Sequence, residues 1–388
     1  MVEGTVVVSR KGEARIERGH PWVFRSDVLR AEDVSPGAIV EVRAREGERL
    51  GFAFYSSRSE IRLRMIERGE SLSESFLADR LERAIAWRAT VAAGAPSCRL
   101  VHGEGDGLPS LVVDRYGDHL VVQTLSQATD RRKDEIVNAL VDRLHPRGVL
   151  ERNDPRVRAL EGLEQRVSLL YGEVPDEVEV RENGVSFRVS LWKGQKTGLF
   201  LDQRENHLAA RAYARGRALD AFTYDGGFAL SVASVAEEVL AVDVSGEALA
   251  RVERNAALNG LGNVSVRDAN AFDLLRALDD EGERFDTVIL DPPAFAKSKD
   301  AVEKARRGYK EINLRALRLL KPGGCLVTCS CSYHVHEEDF EGILADAAID
   351  AGADVVVAEK RRQARDHPIV LGVPETYYLK CFILRRLN

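Results

Sequence analysis

The chain reads as an α/β protein: a doubly wound, Rossmann-like parallel sheet in its C-terminal half, a small α+β region before it, and a β-rich N-terminal module. Three observations predict this. From about residue 183, near-continuous apolar runs alternate with stretches of helical periodicity, the pattern of parallel strands buried on both faces. Between residues 72 and 180, helical segments and a hairpin signal are mixed. Before residue 71, short strand-like runs are punctuated by Gly and Pro. The expected domains are therefore 1–71, 72–182 and 183–388.

Within the first domain, Thr5–Val8, Ile39–Val42, Leu50–Tyr55 and Ile61–Arg64 are strand-like, separated by Gly19, Pro21, Pro36, Gly37 and Gly47. In the second, Phe76, Leu77, Leu81, Ile85 and Val91 recur at helical spacing over 72–93. Leu111–Val113 and Leu120–Val122 then flank a turn in which Gly117 can supply positive φ. A helix is expected over 131–144 and a strand at 148–151. In the third, strands are expected at 218–222, 239–243, 264–266, 285–290 and 325–328. Helices separate them at roughly 227–236, 246–259, 271–279, 302–320 and 337–351.

Composition narrows the class. Of 388 residues, 44% are hydrophobic and 30% charged, which excludes a disordered chain. No apolar run approaches the ~18 residues of a membrane span, and the charged first 20 residues lack the apolar core of a secretion signal, so a cytoplasmic protein without a membrane partner is expected. Five cysteines, three of them within seven residues, fit neither a disulfide framework nor a zinc site; no metal is expected. The net charge of −6 confines any nucleic-acid contact to local basic surfaces.

The strand ends carry the first candidate site. In a doubly wound sheet, ligands bind beyond the carboxyl ends of the strands. The first strand ends at Asp220 and enters Phe222-Thr223-Tyr224-Asp225-Gly226-Gly227. The second ends at Asp243, followed by Val244 and Ser245, and the third at Asp268, followed by Ala269 and Asn270. No Gly-x-Gly-x-x-Gly or Gly-Lys-Ser/Thr loop is present. Acids repel pyrophosphate but suit an amino group and a sulfonium, which points to S-adenosylmethionine, with S-adenosylhomocysteine as product. Helix capping is the alternative use of such acids.

The second candidate site pairs Asp291-Pro292-Pro293, after the fourth strand, with Cys331, after the fifth. The prolines remove two N–H donors, leaving the remaining polar groups to meet a planar base. Asp/Asn-Pro-Pro loops also serve methylation of exocyclic amines, so that loop alone leaves guanine N2 or adenine N6 open as acceptors. The thiol favours a ring carbon: a thiolate added to C6 of cytosine makes C5 nucleophilic, and a donor such as a protonated Asp291 would stabilise the charge on the ring. A buried, inert thiol is the alternative for Cys331, and a catalytically silent RNA-binding assembly factor is the alternative for the chain. His334 and His336 read as a helix start rather than a metal pair. Asp366-His367-Pro368 reads as a turn or as a base.

These residues resemble the RlmI-type large-subunit ribosomal RNA cytosine-C5 methyltransferases. The resemblance runs through Gly19–Phe24, Asp106–Pro109, Asp114–Asp118, Lys196–Arg204, Asp220–Phe228, Asp291–Pro293, Arg307–Asn313, Ser330-Cys331-Ser332 and Asp366–Pro368. It implies a PUA-like RNA-binding domain, a class I methyltransferase domain, S-adenosylmethionine as donor and a cytosine of 23S rRNA as acceptor. It implies Cys331 as nucleophile; Gln203 or Arg204 is expected to close over the donor, and Lys196, Pro292, Pro293, Tyr309 and Lys310 are expected substrate contacts. Arg10, Lys11, Arg15, Arg18, Arg25, Arg62 and Arg64 are candidates for phosphate contacts, solvation being the alternative for most single arginines. The oligomeric state stays open, a homodimer included.

Overall fold

The computed structural model describes residues 2–194, 197–296 and 299–388. The chain forms two compact units. The first gathers Met1–Val180, Val189–Leu199 and Arg365–Thr376; the second gathers Arg181–Arg188, Phe200–Ala364 and Tyr377–Asn388.

The first unit holds two sheets. The N-terminal one has six strands, in the order Trp22–Phe24, Ile61–Glu67, Arg49–Tyr55, Ile39–Arg43, Thr5–Val8 and Val28–Ala31, around a core of Val6, Val8, Val23, Val40, Val42 and Leu63. The other has five strands, with the hairpin Leu111–Tyr116/His119–Thr124 at its centre. Helices Phe76–Val91 and Lys133–Leu144 share its core through Leu81, Ile136 and Leu140. A buried ion pair, Arg64–Glu161 at 2.8 Å, joins the two layers. Arg64 is thus spent inside the fold and cannot meet a phosphate, contrary to its expected role.

Two segments from the stretch read as the last domain pack with this unit. Tyr116 Oη accepts from the Leu199 amide at 3.0 Å and bonds the Thr197 hydroxyl at 3.1 Å. Asp366 accepts from the Arg99 amide through its carboxylate at 3.1 Å and from Arg88 through its carbonyl at 2.8 Å.

The second unit is a seven-stranded sheet. Its strands are β1 (Arg217–Ala221), β2 (Glu238–Asp243), β3 (Val264–Asp268), β4 (Phe285–Leu290), β5 (Leu320–Ser330), β6 (Val355–Arg362) and β7 (Lys380–Arg386). The order is β3-β2-β1-β4-β5-β7-β6. The first five strands are parallel. β7 runs antiparallel to both β5 and β6. The central strands are buried on both faces, which is why they read as unbroken apolar runs. Helices α1 (Arg204–Tyr213), α2 (Gly227–Ala233), α3 (Gly246–Leu258), α4 (Ala271–Asp280), α5 (Val302–Leu319) and α6 (Glu337–Ala351) connect them. Side chains of α4, α5 and α6 share one core with Leu219, Val288, Leu290, Leu326 and Phe382. Among the described residues, no helix is long and apolar enough to cross a membrane.

Candidate active site

The order reverses at β1, with β2 on one side and β4 on the other, so the carboxyl ends of β1, β2, β4 and β5 define one crevice. At the end of β1, Asp220 is buried. Its Oδ2 accepts from the Thr223 hydroxyl at 2.7 Å and from the Ala229 amide at 2.9 Å, which fixes the loop and the start of α2. Its Oδ1 is buried without a partner. Burial, with Asp291 nearby, raises the carboxyl pKa to about 7.

The following loop holds three residues at positive φ: Phe222 at 69°, Tyr224 at 49° and Gly226 at 83°. Two left-handed non-glycine residues so close together store strain of order 1–3 kcal/mol each, a feature that gathers at binding sites. Gly227 is required for a different reason: a Cβ there would lie 2.5 Å from the His207 ring.

Asp243, at the end of β2, accepts from the Tyr224 amide and the Ser245 amide, both at 3.0 Å. It ties the two loops together and keeps lone pairs on both oxygens. Val244 is 67% exposed, and the Ser245 side chain caps α3. Asp268 is exposed at the end of β3, the Ala269 amide donates to the Asp243 carbonyl at 3.1 Å, and Asn270 caps α4. Gln203 is buried, accepts from Asn206 at 2.7 Å and reaches Cys329 in β5. Arg204 opens α1 and is likewise buried.

The acceptor side is built by β4 and β5. Leu290 is in register with Thr328, so Asp291 leaves the sheet beside Cys329, and Cys331 directly follows the last residue of β5. Asp291 and Pro293 are accessible, whereas Pro292 is buried. Cys331 is half-buried, and the other four cysteines are buried. The Cys331 thiol donates to the Pro292 carbonyl at 3.8 Å. Burial beside Cys381 pushes the Cys329 thiol well above its usual range, so Cys329 is held neutral. Asp291 lies near enough to Asp220 and Cys329 to oppose ionisation of both.

Tyr309 is buried, packs on Phe295 with ring centroids 4.6 Å apart, and its hydroxyl bonds Ser332 Oγ at 2.9 Å. Ser332 Oγ also accepts from the Ala296 amide at 3.1 Å. Tyr309 thus braces both acceptor loops from behind. Its neighbour Lys310 turns away to Asp350 of α6 at 2.8 Å. Lys196 lies outside the described residues. His336 begins α6 in a capping box with Asp339, and among the described residues no His/Cys/Asp/Glu group could hold a metal. Asp366 and His367 are buried in the first unit, with the His367 ring tilted against His102, centroids 5.1 Å apart.

Three further residues join the site without any sequence signal. His207 of α1 bonds Glu182 at 2.6 Å and packs on Phe228. Lys380, the first residue of β7, is 1% exposed and donates to the Ser332 carbonyl at 2.7 Å and the Tyr378 carbonyl at 3.1 Å. The His207–Glu182 and Lys380–Ser332 pairings span 25 and 48 residues, and neither belongs to a local motif.

The donor set fits S-adenosylmethionine. The orphaned Asp220 Oδ1 suits its ammonium, Asp243 its ribose hydroxyls, and exposed Val244 an apolar ring face. Comparison with known proteins agrees. A family described as S-adenosylmethionine-dependent methyltransferases matches residues 159–381, and a PUA-like domain matches residues 6–68. Ribosomal RNA large subunit methyltransferase I of Klebsiella pneumoniae is 40% identical over 391 residues, covering 98% of each chain. The protein of that name from Shigella boydii is 41% identical over 392 residues, again covering 98% of each. A solved structure from Streptococcus mutans, described as a SAM-dependent methyltransferase, shares the fold at 20% identity. Its TM-score is 0.83 over 99% of this chain and 100% of that one. The chain belongs to the RlmI family of S-adenosylmethionine-dependent methyltransferases, with a PUA-like domain at its N-terminus.

Proposed function

We propose that this protein methylates C5 of a cytosine in 23S rRNA, in the cytoplasm, through a covalent bond from Cys331 to C6. The observation that carries the reading is the half-buried Cys331 thiol at the end of β5, across from Asp291 and the Pro292 carbonyl at the end of β4. The relatives' name, ribosomal RNA large subunit methyltransferase I, supports the substrate class.

When bound, S-adenosylmethionine supplies an electrophilic methyl group. Asp220, Thr223, Asp243, Val244 and Ser245 would hold it, with Gln203 and Arg204 beside them. The Cys331 thiolate adds to C6, and the C5–C6 π pair shifts onto C5 and, through C4, toward N3, leaving C5 nucleophilic. Asp291 meets the N3 and O2 side of the base. After C5 is methylated and S-adenosylhomocysteine is formed, a base takes the C5 proton, which restores the double bond and expels the thiolate. A paired or stacked cytosine must flip out to reach the sulfur. Arg10, Lys11, Arg15, Arg18, Arg25 and Arg62 of the N-terminal module are the basic residues of the expected set left for phosphate contacts, Arg64 being buried.

RNA carrying 5-fluorocytidine tests the reading. With fluorine at C5 the last elimination is blocked, so a protein–RNA adduct that survives denaturation is expected, with its crosslink on Cys331. Methylation of a guanine or adenine amine with no adduct would replace this reading with amino-methylation.

A further inference from the structure

Lys380 is a buried lysine whose hydrogen-bond partners are two backbone carbonyls. It lies opposite Ser330 in the β5–β7 pairing, and its Nζ donates to the carbonyls of Ser332 and Tyr378. Cys331 is therefore bracketed between the residue that pairs with Lys380 and the residue whose carbonyl Lys380 holds. An ammonium has three donors, and two are used. Among the described residues, no carboxylate lies within 4.0 Å of it. The two acids that face it from α6 have their own partners: Glu337 accepts from the Tyr377 hydroxyl, and Asp339 pairs with Arg306 at 3.1 Å. Tyr309 faces the sulfur from α5 as a neutral hydroxyl, its pKa pushed up to about 12 by burial.

A buried ammonium without a counter-ion is costly. Burial lowers the Lys380 pKa to about 8, and the Cys331 sulfur, followed by Glu337 and Asp339, opposes that fall. We propose that Lys380 is a positioning residue for the reaction, the counter-ion that keeps Cys331 a thiolate before it adds to the pyrimidine. The inference rests on Cys331 being the nucleophile. With one proton shared between sulfur and amine, the inference requires thiolate–ammonium to be favoured over thiol–amine, against the burial that lowers the Lys380 pKa. The S–H contact to the Pro292 carbonyl opposes ionisation, but at 3.8 Å it is a weak bond. Thiols beside a lysine reach pKa values of roughly 3.5–7.5, against about 8.5 when free.

The test is the pH dependence of Cys331 alkylation by iodoacetamide between about pH 5.5 and 9.5, followed by peptide mass spectrometry on the full chain. The four buried cysteines serve as slow internal references. In the unaltered protein, Cys331 should react half-maximally at least a unit below the free-thiol value of about 8.5. In Lys380→Met the midpoint should rise by about a unit or more, with roughly tenfold slower alkylation at pH 7. Lys380→Arg, which keeps the charge, should hold it low. A Cys331 midpoint at or above about 8.5 in the unaltered protein overturns the inference whether or not the variants fold. So does an unchanged midpoint in a Lys380→Met protein that still binds S-adenosylmethionine. Failure of the underlying reading looks different: Cys331→Ala would then methylate RNA at the full rate, whatever the alkylation profile.

Discussion

The Cys331 thiol donates to the Pro292 carbonyl across 3.8 Å, tying the loop after β5 to the loop after β4. Proline has no N–H to offer, so its carbonyl is the polar group that meets the sulfur. That contact separates two cysteines only two residues apart. Cys329 is still inside β5, in register with Cys381 of β7 and fully buried, whereas Cys331 has left the sheet.

Their substitutions should therefore diverge. Cys331→Ala is expected to lose at least a thousandfold in methylation rate, because no other described thiol reaches the crevice, while donor affinity by calorimetry stays within a factor of two or three. Cys329→Ala should keep most activity and cost on the order of 1 kcal/mol of stability through the small cavity it leaves. Equal loss of activity in both variants would contradict the assignment.

Asp220 links donor binding to pH. Its pKa is raised to about 7 by burial, so the folded state holds a proton that the unfolded chain releases near pH 4. Stability conferred by that proton is present below pH 4 and lost as pH rises through 7. Asp220→Asn should thus gain on the protein by roughly 1–3 kcal/mol at pH 8 and by much less at pH 5, measured by urea unfolding. The same variant should bind S-adenosylmethionine at least tenfold more weakly, since Oδ1 loses its charge. For the unaltered protein, affinity should fall as pH drops below 7, with proton release on binding visible as a buffer-dependent enthalpy.

Much of the second unit was legible because its strands are buried on both faces. The apolar runs at 239–243 and 285–290 coincide with β2 and β4 to within a residue. Motif reading locates strand ends, so it named Asp220, Asp243, Asp291 and Cys331. β6 and β7 escaped it. β6 is an edge strand whose second half, Glu359–Arg362, is charged, a common guard against edge pairing, and it does not alternate cleanly. Lys380 escaped with β7, because an antiparallel partner 50 residues beyond Ser330 leaves no local spacing to read. His207 and Glu182 were invisible for the same reason. Arg64 shows the converse error: it looked like a surface cation and is buried against Glu161.

That pair yields a separate prediction. Removing Arg64 strands the Glu161 carboxylate, which also accepts from Ser56 at 2.7 Å. Arg64→Ala should cost roughly 3–5 kcal/mol in the first unit, seen as a lower denaturant midpoint. The slope of RNA affinity against salt should not change, since no phosphate contact is lost. A shallower slope with unchanged stability would restore Arg64 to the RNA surface.

Gly227 tests the packing behind the donor loop. The added methyl of Gly227→Ala would sit 2.5 Å from His207 Cε1 and 2.7 Å from Nε2. The ring cannot simply swing aside, because Glu182 holds Nδ1 at 2.6 Å and Phe228 lies edge-on at 4.5 Å. The expected cost is about 1–3 kcal/mol, typical of overpacking. Because α2 begins at Gly227 and its Ala229 amide donates to Asp220, the shift should also reach the donor acids and weaken S-adenosylmethionine binding severalfold. Replacing His207 with Ala in the same chain should recover part of the stability lost to Gly227→Ala. In a double-mutant cycle, the two changes should couple by more than about 0.5 kcal/mol. Strict additivity would mean that the methyl is accommodated elsewhere and that the His207 ring does not set the need for glycine.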